Sequence, residues 1–189
     1  MFRLCGILIA VTVLLASGAV RAARIVVSSL EGRPVAPLEG KARKTTVLVF
    51  ITNDCPIANQ CAPEIERIYR TYRPKGVAMY LVYVDGSLTA AAARAHHKAY
   101  GYTCPAVLDP GHRLVKEGSA TVTPEAALFD ARGRLVYHGR IDDRAVALGR
   151  VRAVPLHRDL REALDALLAR RPIKAAYRPA VGCSILAGR

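Results

Sequence analysis

Residues 45–56, Thr-Thr-Val-Leu-Val-Phe-Ile-Thr-Asn-Asp-Cys-Pro, decide the fold. The first eight form an unbroken run of β-branched and large apolar side chains, which is typical of a strand buried on both faces of a sheet. Cys55 and Pro56 follow at once, and proline is favoured in the first turn of a helix. The stretch therefore predicts a central strand that passes into a helix at Cys55.

A cysteine at this corner has surroundings that favour its thiolate form. Backbone N–H groups and the positive end of the helix dipole should face the sulfur. The hydroxyl of Thr52, at the end of the strand, is placed to donate a hydrogen bond to it. The neighbouring Asp54 opposes this effect, because one negative charge disfavours a second nearby. Cys55 is therefore the first candidate for a reactive residue.

Strand and helix patterns alternate on both sides of this stretch. We expect a short strand and turn at 24–32, a loop at 31–45, a second buried strand at 77–84 and a helical turn at 111–118. Longer helices are predicted at 63–73, from a Ser87 cap to Gly101, and at 160–168. A short strand at 106–108 and a hairpin of 126–130 with 134–138 complete the pattern. This order predicts an α/β fold, one central mixed sheet with helices on both faces.

Composition is that of one folded domain with a basic surface. The chain has 189 residues, 52% of them hydrophobic, and a formal net charge of +13, which raises the question of a nucleic-acid partner. The arginines and lysines are dispersed, without a run of five and without interleaved aromatic residues, so we expect no nucleic-acid binding. A solvated basic surface, with weak attraction to anionic lipid, is the remaining interpretation.

The first 22 residues read as a signal peptide. Arg3 precedes an uncharged apolar run at 4–20, and Val20-Arg21-Ala22 offers a cleavage site. The alternative is an uncleaved N-terminal anchor, and either one exports the domain to the periplasm or another extracytoplasmic space. We therefore expect a signal peptide at 1–22, a folded domain at 23–172 and a tail at 173–189 that carries Gly182 and Cys183.

Several motifs resemble those of known redox proteins. Cys55-Pro56-Ile57-Ala58, Pro63 and Thr123-Pro124 before a hairpin together resemble the thioredoxin fold. Thr52-Asn53-Asp54-Cys55 is similar to the Thr-x-x-Cys of peroxiredoxins. The best match is to the peroxiredoxin-like redoxins of bacteria, on the segments TNDCPIAN (52–59), VTPEAALFD (122–130), GRIDD (139–143) and Gly-Cys-x-Ile (182–185).

The resemblance implies a thioredoxin-like fold and a thiol-based oxidoreductase. Pro124 corresponds to the cis-proline that packs against the active cysteine and presents backbone to a partner. The sequence also departs from these families. Ala58 stands where thioredoxins carry a second cysteine, Leu48 where peroxiredoxins carry a proline, and Pro124 falls where the peroxiredoxin arginine is expected.

Three further cysteines compete to be the resolving partner of Cys55. Cys61 is six residues on, a rise of about 9 Å along a helix, so a disulfide with it requires the helix to unwind. A half-buried apolar role is the alternative for Cys61. Cys183, on a mobile tail, could swing to Cys55, or it is a static disulfide partner or an unpaired thiol. Cys104 is expected to be a buried structural thiol.

The sequence gives weaker support for a metal site or for paired catalytic carboxylates than for a redox site at Cys55. A copper chaperone of the Sco type uses two cysteines and a histidine, but here the spacing is Cys-x5-Cys. His96 and His97 are adjacent on a helix and are expected to be solvated. Asp142 and Asp143 are expected to bind local backbone in a turn rather than to act as paired carboxylates.

The sequence thus predicts an exported thiol redoxin without a cofactor or resident metal. Cys55 reacts with a peroxide, in an antioxidant role, or with a partner disulfide, and Cys183 or Cys61 resolves it. A Sco-like copper chaperone and a non-catalytic binding module with the same fold are the alternatives. The oligomeric state stays open.

Overall fold

A computed structural model describes residues 24–39 and 45–185, so the predicted signal peptide at 1–22 lies outside the described residues. The predicted buried strand is observed as Thr46–Ile51 in the middle of the sheet, and all six of its residues are buried. In these two ranges, no helix is long and apolar enough to cross a membrane.

The elements follow the predicted order, with short additions. The strands are β1 Val27–Ser29, β2 Pro34–Val35, β3 Thr46–Ile51, β4 Ala78–Tyr83, β5 Ala106–Leu108, β6 Val122–Thr123, β7 Glu125–Phe129, β8 Leu135–Gly139, β9 Ala145–Ala147, β10 Arg150–Val151, β11 Tyr177–Arg178 and β12 Cys183–Ser184. The helices are α1 Pro56–Tyr72, α2 Ala90–Ala99, α3 Arg113–Glu117 and α4 Asp159–Leu168, and a 3-10 turn at Arg73–Lys75 follows α1.

Eight strands form one mixed sheet in the order β11-β8-β7-β3-β4-β5-β1-β2. β3 runs parallel to β4 and antiparallel to β7, so the parallel βα half and the antiparallel hairpin meet at the central strand. β9 pairs with β10, and β12 pairs with β6, in two small separate sheets. The α/β prediction, a thioredoxin-like central mixed sheet, is confirmed.

Helices cover both faces of the sheet, because apolar side chains of β3 point alternately to one face and to the other. Val47, Val49 and Ile51 point into the larger apolar cluster, which holds residues of α1, α2 and α4. Leu48 and Phe50 point to the other face, where the short helix α3 packs. The central strand is therefore shielded from water on both sides, and its carboxyl end carries Cys55 to the edge of the core.

One predicted helix start is confirmed and another is wrong. α1 begins at Pro56, directly after Cys55 as predicted, and it continues through the predicted helix at 63–73, with Pro63 exposed inside it. The apolar face of the helix includes Ile57, Ala58 and Ala62. In α2 the cap is Thr89, whose Oγ1 accepts from the Ala92 N–H at 3.2 Å, because Ser87 is instead bonded to Asp85.

Two segments predicted without regular structure form strands. Residues 34–35, within the predicted loop, pair with β1 as the second arm of a hairpin. The predicted tail carries β11, which pairs in parallel with the end of β8, and β12. The segment after α4 therefore folds back onto the domain at two places.

Candidate functional site

Cys55 occupies the N-cap position of α1. Its backbone is extended, with φ −77° and ψ 110°, and the N–H of Ala58 donates to its sulfur at 3.5 Å. The thiol in turn donates to the carbonyl oxygen of Thr123 at 3.0 Å. The residue is 1% exposed. The corner predicted from the sequence therefore exists, and the strand before Pro124 lies directly against its sulfur.

The Thr123–Pro124 peptide bond is cis, as the resemblance implied. Both residues are buried next to the N-terminus of α1. The hydroxyl of Thr52 lies 3.4 Å from the hydroxyl of Thr123. Thr52 was expected to donate to the Cys55 sulfur, but its hydroxyl contacts Thr123, 71 positions later in the chain, and the Thr123 carbonyl oxygen accepts from the Cys55 thiol.

Cys183 lies at the same site. It is directly opposite Thr123 in the antiparallel pair of β12 with β6, and it lies close enough to Cys55 for the two thiols to shift each other's pKa. Gly182 makes this close approach possible, because a Cβ there would clash with the Thr123 carbonyl oxygen and lie 2.7 Å from its carbonyl carbon. The sequence placed Cys183 on a mobile tail, whereas the structure docks it beside Cys55.

The two thiols at this site have opposite pKa shifts. Burial alone would raise the pKa of Cys55, but hydrogen bonds from the Cys183 side chain, the Ala58 amide, Thr123 and the Cys183 amide outweigh it and lower the pKa. Burial, the bond to Cys55 and the negative charges of Cys55 and Asp54 raise the pKa of Cys183 to about 11. Of the two thiols, Cys55 is therefore the one that loses its proton more readily.

Cys61 and Cys104 lie apart from this arrangement. Cys61 is inside α1, and burial, with the negative charge of Asp142, raises its pKa to about 12. Cys104 is fully buried and donates to the Met79 carbonyl at 3.4 Å, and burial raises its pKa strongly. Both thiols therefore stay protonated at neutral pH, which is the property of structural cysteines.

Other residues considered from the sequence take structural positions. Asp142 accepts from the backbone N–H of Arg144, and Asp143 from those of Leu156 and His157, as expected of turn residues. His96 was expected to be solvated, but it is buried and both ring nitrogens are bonded. Across residues 24–39 and 45–185, no three His, Cys, Asp or Glu side chains form a group suited to a metal ion.

The match to a protein family decides the assignment. A family model for redoxins matches residues 20–148, more than half of the chain, and includes the β3–α1 corner and the cis-proline. The chain belongs to the redoxin family. Membership supports a thiol redox function for this redoxin.

Solved structures share the fold over most of the chain. A hypothetical protein of Sinorhizobium meliloti is 28% identical, with a TM-score of 0.72 over 87% of this chain and 91% of that one. An uncharacterized conserved protein of Geobacillus kaustophilus is 28% identical, with a TM-score of 0.72 over 85% and 86%. A secreted disulfide oxidoreductase of Mycobacterium tuberculosis is 19% identical, with a TM-score of 0.50 over 59% and 80%, and shows the fold alone. No curated protein matches the redoxin.

Sequence reasoning named Cys55, Pro124 and Cys183 as candidates, and the resemblance placed the Thr123–Pro124 pair against Cys55. The contact of the Thr123 carbonyl with the sulfur was not predicted. Docking of the tail was also missed, because β12 has only two residues and no strand pattern. Gly182 next to Cys183 was the one available signal, since glycine often marks a close approach of two backbones.

Proposed function

We propose that this redoxin is a thiol–disulfide oxidoreductase in which Cys55 is the nucleophile and Cys183 resolves it. The observation that carries the proposal is the docking of Cys183 opposite Thr123, the residue whose carbonyl contacts the sulfur of Cys55. A nucleophile needs a thiolate, and a resolving cysteine needs access to its sulfur. The two requirements are met by two residues that are 128 positions apart in the chain.

The first step is exchange with a partner disulfide. The Cys55 thiolate attacks one sulfur of the partner, so a Cys55–partner bond forms, the partner's S–S bond breaks and the other partner sulfur leaves as a thiolate. That thiolate takes up a proton from water. Cys183 then loses its proton and attacks the Cys55 sulfur, which releases the second partner sulfur. The partner gains two electrons, and the redoxin holds a Cys55–Cys183 disulfide.

The tail must move for this step, because Cys55 is only 1% exposed when β12 is docked. The docked segment is short, two paired residues with one further backbone bond from Ile185 to Thr121 at 2.9 Å. Its release exposes the sulfur together with the edge of β6 and Pro124. Redocking returns Cys183 to Cys55, so the segment that shields the nucleophile also ends the reaction.

Cys61 is the weaker candidate for the resolving residue. It lies within α1, so its sulfur reaches Cys55 only if the first turns of the helix unwind. The pKa is raised for both candidates, to about 12 for Cys61 and about 11 for Cys183, so their positions in the fold decide between them. Cys183 is docked opposite Thr123, so it can reach Cys55 without the unwinding of a helix.

We also propose that the redoxin acts outside the cytoplasm. The predicted signal peptide supports this, and one protein of the same fold is described as secreted. An exported location is also the setting in which disulfides form and persist. The partner is then an exported protein with a disulfide or a pair of thiols.

Two assays on the mature chain test the function. Insulin reduction with dithiothreitol measures thiol–disulfide exchange, and consumption of hydrogen peroxide measures peroxidase activity. We expect exchange activity that Cys55→Ser abolishes and Cys183→Ser strongly reduces, while Cys61→Ser retains it. Peroxide consumption without insulin reduction would instead assign the peroxidase reaction. Retention of Cu(I) after dialysis, lost in Cys61→Ser, would favour the copper chaperone, and neither activity would favour a binding module.

A further inference from the structure

A chain of hydrogen bonds runs from the core to the loop that carries Cys55. The Tyr83 hydroxyl and His96 Nδ1 are 2.8 Å apart, and His96 Nε2 is 2.8 Å from Asn59 Oδ1. The Asn59 Nδ2 donates to the Asn53 carbonyl at 3.0 Å. Side chains from β4, α2 and α1 are thereby linked to the loop after β3.

The donor and the acceptor of each hydrogen bond in this series can be assigned from its last member, the Asn53 carbonyl. A backbone carbonyl only accepts, so the amide nitrogen of Asn59 faces Asn53 and its oxygen faces His96. His96 Nε2 must then carry the proton and donate to Asn59 Oδ1. Nδ1 is left as the acceptor, and the Tyr83 hydroxyl donates to it. The neutral His96 tautomer with its proton on Nε2 therefore satisfies the hydrogen bonds of Tyr83, His96, Asn59 and the Asn53 carbonyl.

The surroundings of His96 keep the ring neutral and fixed. The side chain is buried, and Tyr83 beside it is fully buried. The ring of Tyr100 lies 4.5 Å from the His96 ring, and that of Tyr102 lies 6.3 Å away. Burial, and the nearby His97, lower the pKa of His96. The imidazole therefore acts as a rigid connector at neutral pH.

At the Asn59 end of this series of hydrogen bonds, the contacts hold the backbone on both sides of Cys55. Asn53 is two residues before Cys55, and Asn59 is one helical turn after it. The backbone N–H of Asn59 donates to the Cys55 carbonyl at 3.0 Å, while its side chain holds the Asn53 carbonyl. Asn59 thus bridges the loop and the first turn of α1, and the N-cap position of Cys55 lies between its two contacts.

We propose that His96, as the neutral tautomer protonated on Nε2, is a positioning residue for Cys55. Acting through Asn59, it fixes the turn that points the sulfur at the Ala58 N–H and at Thr123. The inference rests on the proposed role of Cys55 as the nucleophile. His96 does not touch the sulfur and takes no part in electron transfer.

Two substitutions at His96 separate positioning from packing. His96→Phe keeps an aromatic ring but removes both hydrogen bonds, and His96→Gln keeps an N–H donor at the place of Nε2. We expect His96→Phe to raise the midpoint of the Cys55 alkylation profile by about one pH unit. We expect His96→Gln to restore most of the wild-type profile.

His97→Phe is the matched control. His97 is the next residue of α2, and its Nε2 bonds the Cys104 carbonyl at 2.8 Å, away from the Cys55 loop. We expect it to leave the alkylation profile unchanged. A folded His96→Phe protein with the wild-type profile overturns the inference. If His96→Phe does not fold, Asn59→Ala removes the same link, and an unchanged profile in that variant also overturns it.

The ¹⁵N NMR shifts of the His96 ring give an independent test of its tautomer. The inference requires a protonated Nε2 and an unprotonated Nδ1 at pH 7, and the opposite tautomer contradicts it. This measurement does not depend on the chemistry of Cys55. A wild-type Cys55 that titrates like free cysteine would remove the proposed function, while the NMR result would still report on the hydrogen-bond chain.

Discussion

The sulfur of Cys55 lies 3.0 Å from the carbonyl oxygen of Thr123, and that same residue is paired across a short strand with Cys183. The cysteine at the helix start, the residue before the cis-proline and the cysteine of the tail therefore share one site. Any group that approaches Cys55 along β6 meets the tail first. The redoxin carries its own extended, cysteine-containing segment at the place where an exchange partner would bind.

Removal of the Cys183 side chain should make Cys55 less acidic. Cys183→Ala deletes a hydrogen-bond donor to the thiolate, and such bonds contribute roughly 1.5–3 kcal/mol, so the pKa of Cys55 should rise by about one unit or more. Cys183→Ser keeps a donor and should give a smaller rise. The pH dependence of iodoacetamide labelling measures both, with Cys61→Ala as the control. An equal profile in all variants would refute the contact.

Gly182 should control the rate at which the disulfide forms. A methyl group there meets the Thr123 carbonyl, and overpacking of this kind costs roughly 1–3 kcal/mol. Gly182→Ala should therefore undock the tail and slow oxidation of the Cys55–Cys183 pair by about tenfold or more. Gly86→Ala is the control, because its Cβ would lie 3.5 Å from the nearest atom, an ordinary contact. Equal oxidation rates would contradict the docking.

The four described cysteines should differ in reactivity at neutral pH. A thiol reacts as the thiolate, so a lowered pKa keeps Cys55 reactive at a pH where ordinary cysteine is protonated, and its labelling should fade only below its own pKa. Cys61, with a pKa of about 12, and the buried Cys104 should label only after unfolding. Timed labelling with peptide mass spectrometry tests this order. Labelling of Cys61 ahead of Cys55 would reverse the assignment.

Glu64 should be important for stability. Its side chain is 1% exposed and bonds to Arg161 at 2.6 Å and Arg67 at 2.7 Å, which joins α1 to α4. Glu64→Gln should lower the free energy of unfolding by about 2–3 kcal/mol, because the partly buried Arg161 loses its charged partner between α1 and α4. Glu39→Gln, in an exposed pair with Arg24, should have little effect in the same urea titrations.

The same carboxylate gives an expected pH dependence. Burial alone would raise the pKa of Glu64, but the arginines outweigh it and lower the pKa below the model-peptide value. A lowered folded-state pKa means that the stabilisation is complete above the unfolded pKa, about 4.3, and is lost as the pH falls through the folded value. The stability difference between wild type and Glu64→Gln should therefore shrink below about pH 4. A difference that is constant with pH would contradict the ion pairs.

Much of the fold followed from local patterns. The run of apolar residues in β3 and the alternation around it predicted the mixed sheet, because a strand buried on both faces needs helices on each side. The start of α1 followed from Pro56, because proline suits the first turn of a helix. Ser87 was taken as the cap of α2, but its N–H and hydroxyl both donate to the neighbouring Asp85, and Thr89 caps the helix.

The site was less predictable than the fold. Cys55 and Pro124 were identified from motifs, but the Thr123 contact depends on a strand crossing that no local pattern encodes. His96 was expected in solvent because it and His97 are adjacent on a helix and point in different directions, yet it is bonded to Tyr83 and Asn59 on two other elements. Contacts between residues distant in the chain decided each of these differences.

Disulfide mapping of the oxidised mature protein tests the central claim most directly. The protein is oxidised with a mild disulfide reagent, free thiols are blocked, and peptides are identified by mass spectrometry without reduction. The account predicts one intramolecular disulfide, between the peptides of Cys55 and Cys183, with Cys61 and Cys104 recovered as blocked thiols. A Cys55–Cys61 disulfide, or a Cys183 that stays free while Cys55 is oxidised, would contradict it.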